Sequence, residues 1–408
     1  MPYQPTTNFQ DSNGVDLGKK LLTKDYLLSV YGPLLDTLAP GLTFTPALWT
    51  WGSNTNGQIG VNDATQRNTP VTTFSGSINW RLVSGGTASS AATKTDGTLW
   101  VWGVNSNGQL GINTTADKST PVTTFAGGTN WRQVSCGNAH ITAVKTDGTL
   151  WTWGDNTGAE LGINLSGLTT CRTTPVTTFA GGTNWKQVSS GNLHTAALKT
   201  DGTLWTWGSN TNGQLGDNTS VTRSTPVTTF TGGANWKQVS CGTNYTSAIK
   251  TDGTLWTWGS NNNGQLGINT TVDKSTPVTT FSGGTNWKQV ACGQNYATAI
   301  KTDGTLWTWG QNTNGQLGVN DTNTRTTPVT TFVGGINWKQ VDCGQNYATA
   351  IKTDGTLWTW GQNTNGQLGV NDTNGRTTPV TTFLGGNNWK QVDCGSTHTT
   401  TILSVDYI

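Results

Sequence analysis

Val188–Gly208 reads VSSGNLHTAALKTDGTLWTWG, and Gly208–Gly216 continues it as GSNTNGQLG. Short apolar and threonine-rich runs alternate with Gly, Asn and Asp clusters, the pattern of short strands joined by tight turns. Lys-Thr-Asp-Gly (Lys199–Gly202) separates two such runs. Asp-Gly predicts a hairpin there, with both central residues at positive φ. The stretch is one copy of a repeat. Its Trp-Gly pair recurs at Trp51, Trp102, Trp153, Trp207, Trp258, Trp309 and Trp360, spaced by 51 residues with one interval of 54. A second Trp stands two residues before each, and a third follows Asn at Trp80, Trp131, Trp185, Trp236, Trp287, Trp338 and Trp389. Seven copies of three account for all 21 tryptophans. The long interval holds an insertion between Gly162 and Pro175.

Each copy yields four strands, read in one place as 226–230, 236–241, 245–250 and 254–258. Four antiparallel strands in a unit of about 50 residues fit a propeller blade better than a solenoid turn. The ends agree. The repeats begin within a third strand (Leu48–Trp51) and stop after a second (His398–Leu403), so two half-blades complete each other and remove both free edges. The predicted fold is therefore all-β: a seven-bladed β-propeller of four-stranded antiparallel blades over 47–408, closed by N- and C-terminal half-blades. A short N-terminal arm with one helix, 1–46, precedes it.

Composition bounds the remainder. The 408 residues carry 23 Lys+Arg against 21 Asp+Glu, a net +2, and only 11% are charged. That balance argues against nucleic acid as a partner and against a membrane-surface role. No apolar run reaches the ~18–20 residues of a membrane span, and with the first lysines at Lys19 and Lys20 no secretory signal is expected. One Glu (Glu160) and 54 Gly leave few good helix formers. The six cysteines are not at CxxC spacing and read as small reduced side chains of a protein assembled in a cytoplasm.

The consensus GxNxxGQLG followed by VxxGxxHxxAxKxDGxLWxWG resembles the regulator of chromosome condensation repeat, over about 360 of the 408 residues. The resemblance implies seven-bladed propellers. It also implies a spread of roles, among them exchange factors, photoreceptors, ubiquitin ligases and binders. Light-sensing relatives carry Trp after the Gly of the VxxGxxH segment. Here those positions are Asn138, Asn192, Thr243, Gln294, Gln345 and Ser396, which argues against photoreception. The acidic surface of the exchange factors and their basic chromatin-reaching tail have no counterpart in this sequence.

The paired third-strand tryptophans, at i and i+2 on one face, are expected in the inter-blade core. His140, His194 and His398 share one repeat position with Ser89, Tyr245, Tyr296 and Tyr347, a mixture suited to structural hydrogen bonding rather than metal binding. The basic residue after each Asn-Trp forms a ring: Arg81, Arg132, Lys186, Lys237, Lys288, Lys339 and Lys390. It is read as a solvated rim and as the candidate binding rim. Asn62–Asp63, Asn320–Asp321 and Asn371–Asp372 match no calcium-loop spacing. Consecutive blades nearly repeat each other, whereas catalysis needs differently placed groups, so no enzyme activity and no cofactor or metal are expected. Glu160 and the 163–174 loop are the non-repeating places where a private site could lie.

In the arm, Thr23 can N-cap a short helix carrying Leu21, Leu22, Tyr26, Leu27, Val30 and Tyr31, stopped by Gly32–Pro33. About two turns need a partner surface. The arm is read as an anchor to other structural proteins of a larger assembly. An anchoring arm before a near-identical repeat ring resembles the plan of tailed-bacteriophage fibre and receptor-binding proteins. The functional expectation is a non-enzymatic structural or host-recognition component of a virion, assembled in the host cytoplasm, with a host-surface glycan or protein as ligand. The alternatives are a cytosolic protein–protein interaction module of a microbe and a carbohydrate-binding propeller.

Overall fold

The computed structural model describes residues 47–75, 79–166 and 170–403. The arm, with its helix and its six candidate anchor residues, lies outside the described residues.

The described chain forms seven four-stranded antiparallel sheets. One blade shows the plan: inner strand Trp236–Cys241, second strand Tyr245–Lys250, third strand Leu255–Gly259 and outer strand Lys274–Thr279. The fourth strand read at 226–230 runs instead over Arg223–Thr228, and it belongs to the preceding blade, where Thr228 pairs with Trp205. In the last blade Ala47–Gly52 pairs with His398–Leu403 in unbroken register from Ala47↔Leu403 to Gly52↔His398. The half-blades therefore close the ring as the sequence predicts.

The Asp-Gly turns differ from the expected form. Only the glycine has positive φ (Gly253, 82°). Lys250 N–H donates to Thr254 O and Gly253 N–H to Lys250 O. This is the three-residue hairpin, a turn followed by one left-handed residue, which leaves Asp252 in an ordinary conformation. Glycine is required twice over, because a Cβ on Gly253 would collide with the carbonyl of Thr285 in the next blade.

Tryptophan fastens blade to blade. Trp258 is fully buried and donates its indole N–H to Gln214 O of the preceding blade at 2.9 Å. The same bond closes the ring from Trp51 to Gln367 O at 2.8 Å. Six inner-strand Trp meet both members of the third-strand pair edge to face, as Trp236 meets Trp256 and Trp258 with centroids 6.2 and 6.0 Å apart, and Trp80 meets Trp100 in the same way. The first Trp of each pair, the buried Trp49 apart, is less enclosed than expected. Trp256 is half-buried, and Lys250 Nζ lies 4.3 Å from its ring centroid.

Candidate functional site: the channel at the centre of the ring

The inner strands face one another around a central channel of about 390 Å³. Two sets of side chains from these strands tie neighbours together. The first is a glutamine belt. Gln238 donates to Val290 O at 2.9 Å and accepts from Val290 N–H at 3.0 Å. Gln391 makes the equivalent pair with Val83 at 3.2 Å in each direction, across the closure. In one blade Leu82 takes the glutamine position.

The second set lies two residues further along, at the channel end bearing the Gly-x-x-His/Tyr loops. This position holds Ser84, Ser135, Ser189, Ser240, Ala291, Asp342 and Asp393. Each oxygen accepts a backbone N–H from the next blade: Ser240 from Cys292 at 3.0 Å, Asp342 from Cys394 at 2.6 Å, Asp393 from Gly85 at 2.6 Å. Ala291 cannot. The channel is thus sevenfold in backbone but not in chemistry. Two neighbouring blades place carboxyls in its wall, next to one that has only a methyl group. Burial pushes both carboxyls well above the usual range, and charge on Asp342 further opposes ionisation of Asp393. The VDCG segments at Asp342 and Asp393, beside VSCG at Ser135, carried this signal in the sequence. Reading blade against blade, position by position, would have found it.

Around this ring, the position after each loop glycine holds small or amide side chains, Thr87, Asn138, Asn192, Thr243, Gln294, Gln345 and Ser396. No tryptophan is among the channel-lining residues. The shared His/Tyr position is buried and hydrogen-bonded across blades. His398 Nε2 meets Ser90 Oγ at 2.8 Å, His140 Nε2 meets Thr195 Oγ1 at 3.1 Å, and the Tyr245 hydroxyl donates to Tyr296 O. Burial lowers the His140 and His398 pKa to about 4 and that of His194 to about 3, so all three are neutral at pH 7. The preceding glycine makes room for the ring: a Cβ on Gly137 would strike the His140 imidazole, and one on Gly242 the Tyr245 phenol. No disulfide joins the cysteines among the described residues, and burial pushes the Cys241 thiol up to about 12.

The basic ring sits at the opposite end of the same inner strands, about 10 Å from the serine/aspartate ring at ~3.3 Å per residue. A bulge between Trp236 and Gln238 turns Lys237 out to solvent. Lys186, Lys288, Lys339 and Lys390 are likewise exposed. The two arginines are partly committed: Arg132 donates to Trp185 O at 2.9 Å and Lys186 O at 2.8 Å, and Arg81 to Arg132 O.

The loop carboxylates serve their own loops. Asp63, Asp321 and Asp372 each pair with an arginine four residues on, at 2.6 Å. Glu160 does stand apart. It replaces a glutamine present in the other six blades, and it is fully buried. One carboxylate oxygen accepts Gly158 N–H at 2.7 Å, and the other has no partner. Burial first, and then the nearby Asp155, push its pKa up to about 7. Cys171 approaches Asp155 at 3.4 Å, so the insertion gathers a small acidic cluster of its own. Among the described residues no group of His, Cys, Asp or Glu is arranged to hold a metal ion.

A closed ring with a constant core and blade-specific polar groups at its centre defines a binding scaffold. The RCC1-like domain family profile matches residues 47–401, and the chain belongs to that family. It is 32% identical to the ultraviolet-B receptor UVR8 of Arabidopsis thaliana over 81% of this chain and 76% of that protein. It is 27% identical to the human E3 ubiquitin-protein ligase HERC2 over 92% of this chain, which spans only 8% of the ligase. Among solved structures, human WBSCR16 superposes with a TM-score of 0.78 at 21% identity, covering 89% of this chain and all of that one. Yeast RCC1 (Prp20), solved with Kap60, superposes at 0.77 and 18% identity, covering 89% and 90%.

Proposed function

We propose that the protein is a non-catalytic protein–protein interaction module that receives its partner at the loop-bearing end of the channel. The observation that supports this most is the broken symmetry of the channel ring. A partner held in one orientation needs a feature that occurs once per turn, and Asp342 and Asp393 beside Ala291 provide it. A half-buried carboxyl pair in a polar wall suits a cationic side chain of the partner, whose charge would ionise the pair on binding. The relatives give the reading its class: a structure of yeast Prp20p is described together with its binding to Gsp1p and histones, and another holds it with Kap60.

The test compares the full chain with a D342S/D393S variant, which restores the serine of four other blades and keeps an acceptor for the Cys394 and Gly85 N–H groups. A partner captured by the wild-type chain is purified and titrated calorimetrically against both. Its loss with the variant, and retention with E160Q, supports the reading; equal affinity for all three refutes it. The arm is proposed as an anchor through Leu21, Leu22, Tyr26, Leu27, Val30 and Tyr31. Leu27→Asp then abolishes co-fractionation with a larger assembly while melting is unchanged. The virion setting rests on architectural likeness alone, and the comparisons lend it no support beyond a binding role.

A further inference from the structure

Chain direction sorts the ring's charges onto two faces. The third strand runs away from the Asp-Gly turn and the outer strand returns. The turn, the residues after the outer strand and the start of the next inner strand therefore share one face. Trp131 N–H, bonded to Gly97 O at 2.9 Å, ties them directly. This turn face carries the seven inner-strand cations and the six turn lysines, Lys94 to Lys352, against six turn aspartates, Asp96 to Asp354. The opposite face carries seven cations at the outer-strand starts, Arg67 to Arg376, against seven loop aspartates, Glu160 and the two channel aspartates. In a chain close to neutral overall, the described ring thus has one strongly basic side.

The same face has a second feature. Two residues past the end of each outer strand, after a buried threonine, stands a phenylalanine, Phe74 and its six counterparts up to Phe383, every one between 62% and 64% exposed. The following glycines leave them in the open: a Cβ on Gly127, Gly181, Gly232, Gly283 or Gly385 would meet nothing within 4 Å. Burying an aromatic ring of this size is worth about 2–3 kcal/mol, yet seven stand in water. Being related by the rotation of the blades, they lie at one level around the perimeter, with the cations inside them. Seven coplanar aromatic groups at the rim of a disc cannot all meet a convex globular partner, but a flat one touches them together. Phenylalanine outside and Lys/Arg inside is the composition of a surface that lies in an anionic lipid interface.

We propose that the turn face docks on an anionic bilayer surface, with the phenylalanine belt at the headgroup boundary and the inner cations over the headgroups. This is surface binding, not a span; among the described residues no helix is long and apolar enough to cross a membrane.

The experiment is flotation of the full chain with vesicles of phosphatidylcholine, and with vesicles containing an equal amount of phosphatidylglycerol. Binding is expected only to the anionic vesicles and is lost in high salt, where screening shortens to about 3 Å at 1 M. K237E/K288E/K339E reverses three exposed charges and weakens binding by roughly 100-fold or more, at about fivefold per basic residue. F125A/F230A/F332A weakens it by at least about tenfold. Unchanged melting of both variants shows that the fold is kept. Absence of binding overturns the proposal, as does equal binding to both vesicle types. Phenylalanine variants that bind anionic vesicles as wild type does, alongside equal affinity for heparin, overturn it in favour of a soluble polyanion.

Discussion

The inter-blade core and the channel wall are built from the same inner strands, yet they are constrained differently. In the core, Trp236 has an identical counterpart in all seven blades, and six fully buried tryptophans repeat the Trp258–Gln214 contact, Glu160 supplying the carbonyl once. Four residues along the same strand, the wall position runs through Ser, Ala and Asp. The core packs against a neighbour of fixed shape, where a lost ring leaves a cavity. The wall position borders the channel in six blades, where one oxygen accepts a single backbone N–H, and a methyl group replaces it in the seventh, so it is free to differ. Stability is carried where the repeat is exact, and the proposed recognition falls where it is not.

The harshest test of the repeated part is its closure. Deleting residues 396–408 removes a middle strand of the last blade and leaves Ala47–Gly52 with an open edge. Loss of cooperative thermal unfolding and aggregation are expected; a monomer melting as wild type does would show that closure contributes nothing. Next, Trp258→Ala should cost about 3–5 kcal/mol in denaturant unfolding, with no direct effect on the channel wall.

Glu160 sharpens the contrast, because it places a blade-specific charge in the core. Its folded pKa of about 7 exceeds the ordinary value of 4.5. Between those values the unfolded chain ionises while the native one keeps its proton, so stability falls as pH rises from about 4.5 to 7. E160Q should therefore be more stable than wild type by up to about 3 kcal/mol at pH 8 and equal to it near pH 4. Urea midpoints across this range check the sign. Gln238→Ala, which removes both belt bonds to Val290, should cost about 1–2 kcal/mol, less than any core change.

Much of this was legible in the sequence, for physical reasons. Tryptophan spacing and Asp-Gly turns are local signals that repeat, so blade number and closure could be read from Trp51 to Trp360 and from the ends at Leu48 and Leu403. The strand bounds slipped at 226–230 because Pro226-Val227-Thr228 continues into Thr229 and Phe230 with no change of composition. Phe230 therefore read as a strand residue rather than an exposed one. The turn type was missed because Asp-Gly favours more than one hairpin form, and packing of Gly253 against Thr285 O selects between them. The Asp342–Asp393 pair was hidden for another reason: 51 residues separate them, and only the packing of consecutive inner strands side by side makes them neighbours.

The central claim, stability in the constant positions and recognition in the variable ones, is tested most directly by D342S/D393S. Melting and partner titration of that variant are measured side by side at pH 8. Removing two half-buried carboxyls whose pKa values are raised should leave melting equal to or above wild type, while partner affinity is lost. A variant that melts well below wild type, or that binds the partner undiminished, would contradict the account.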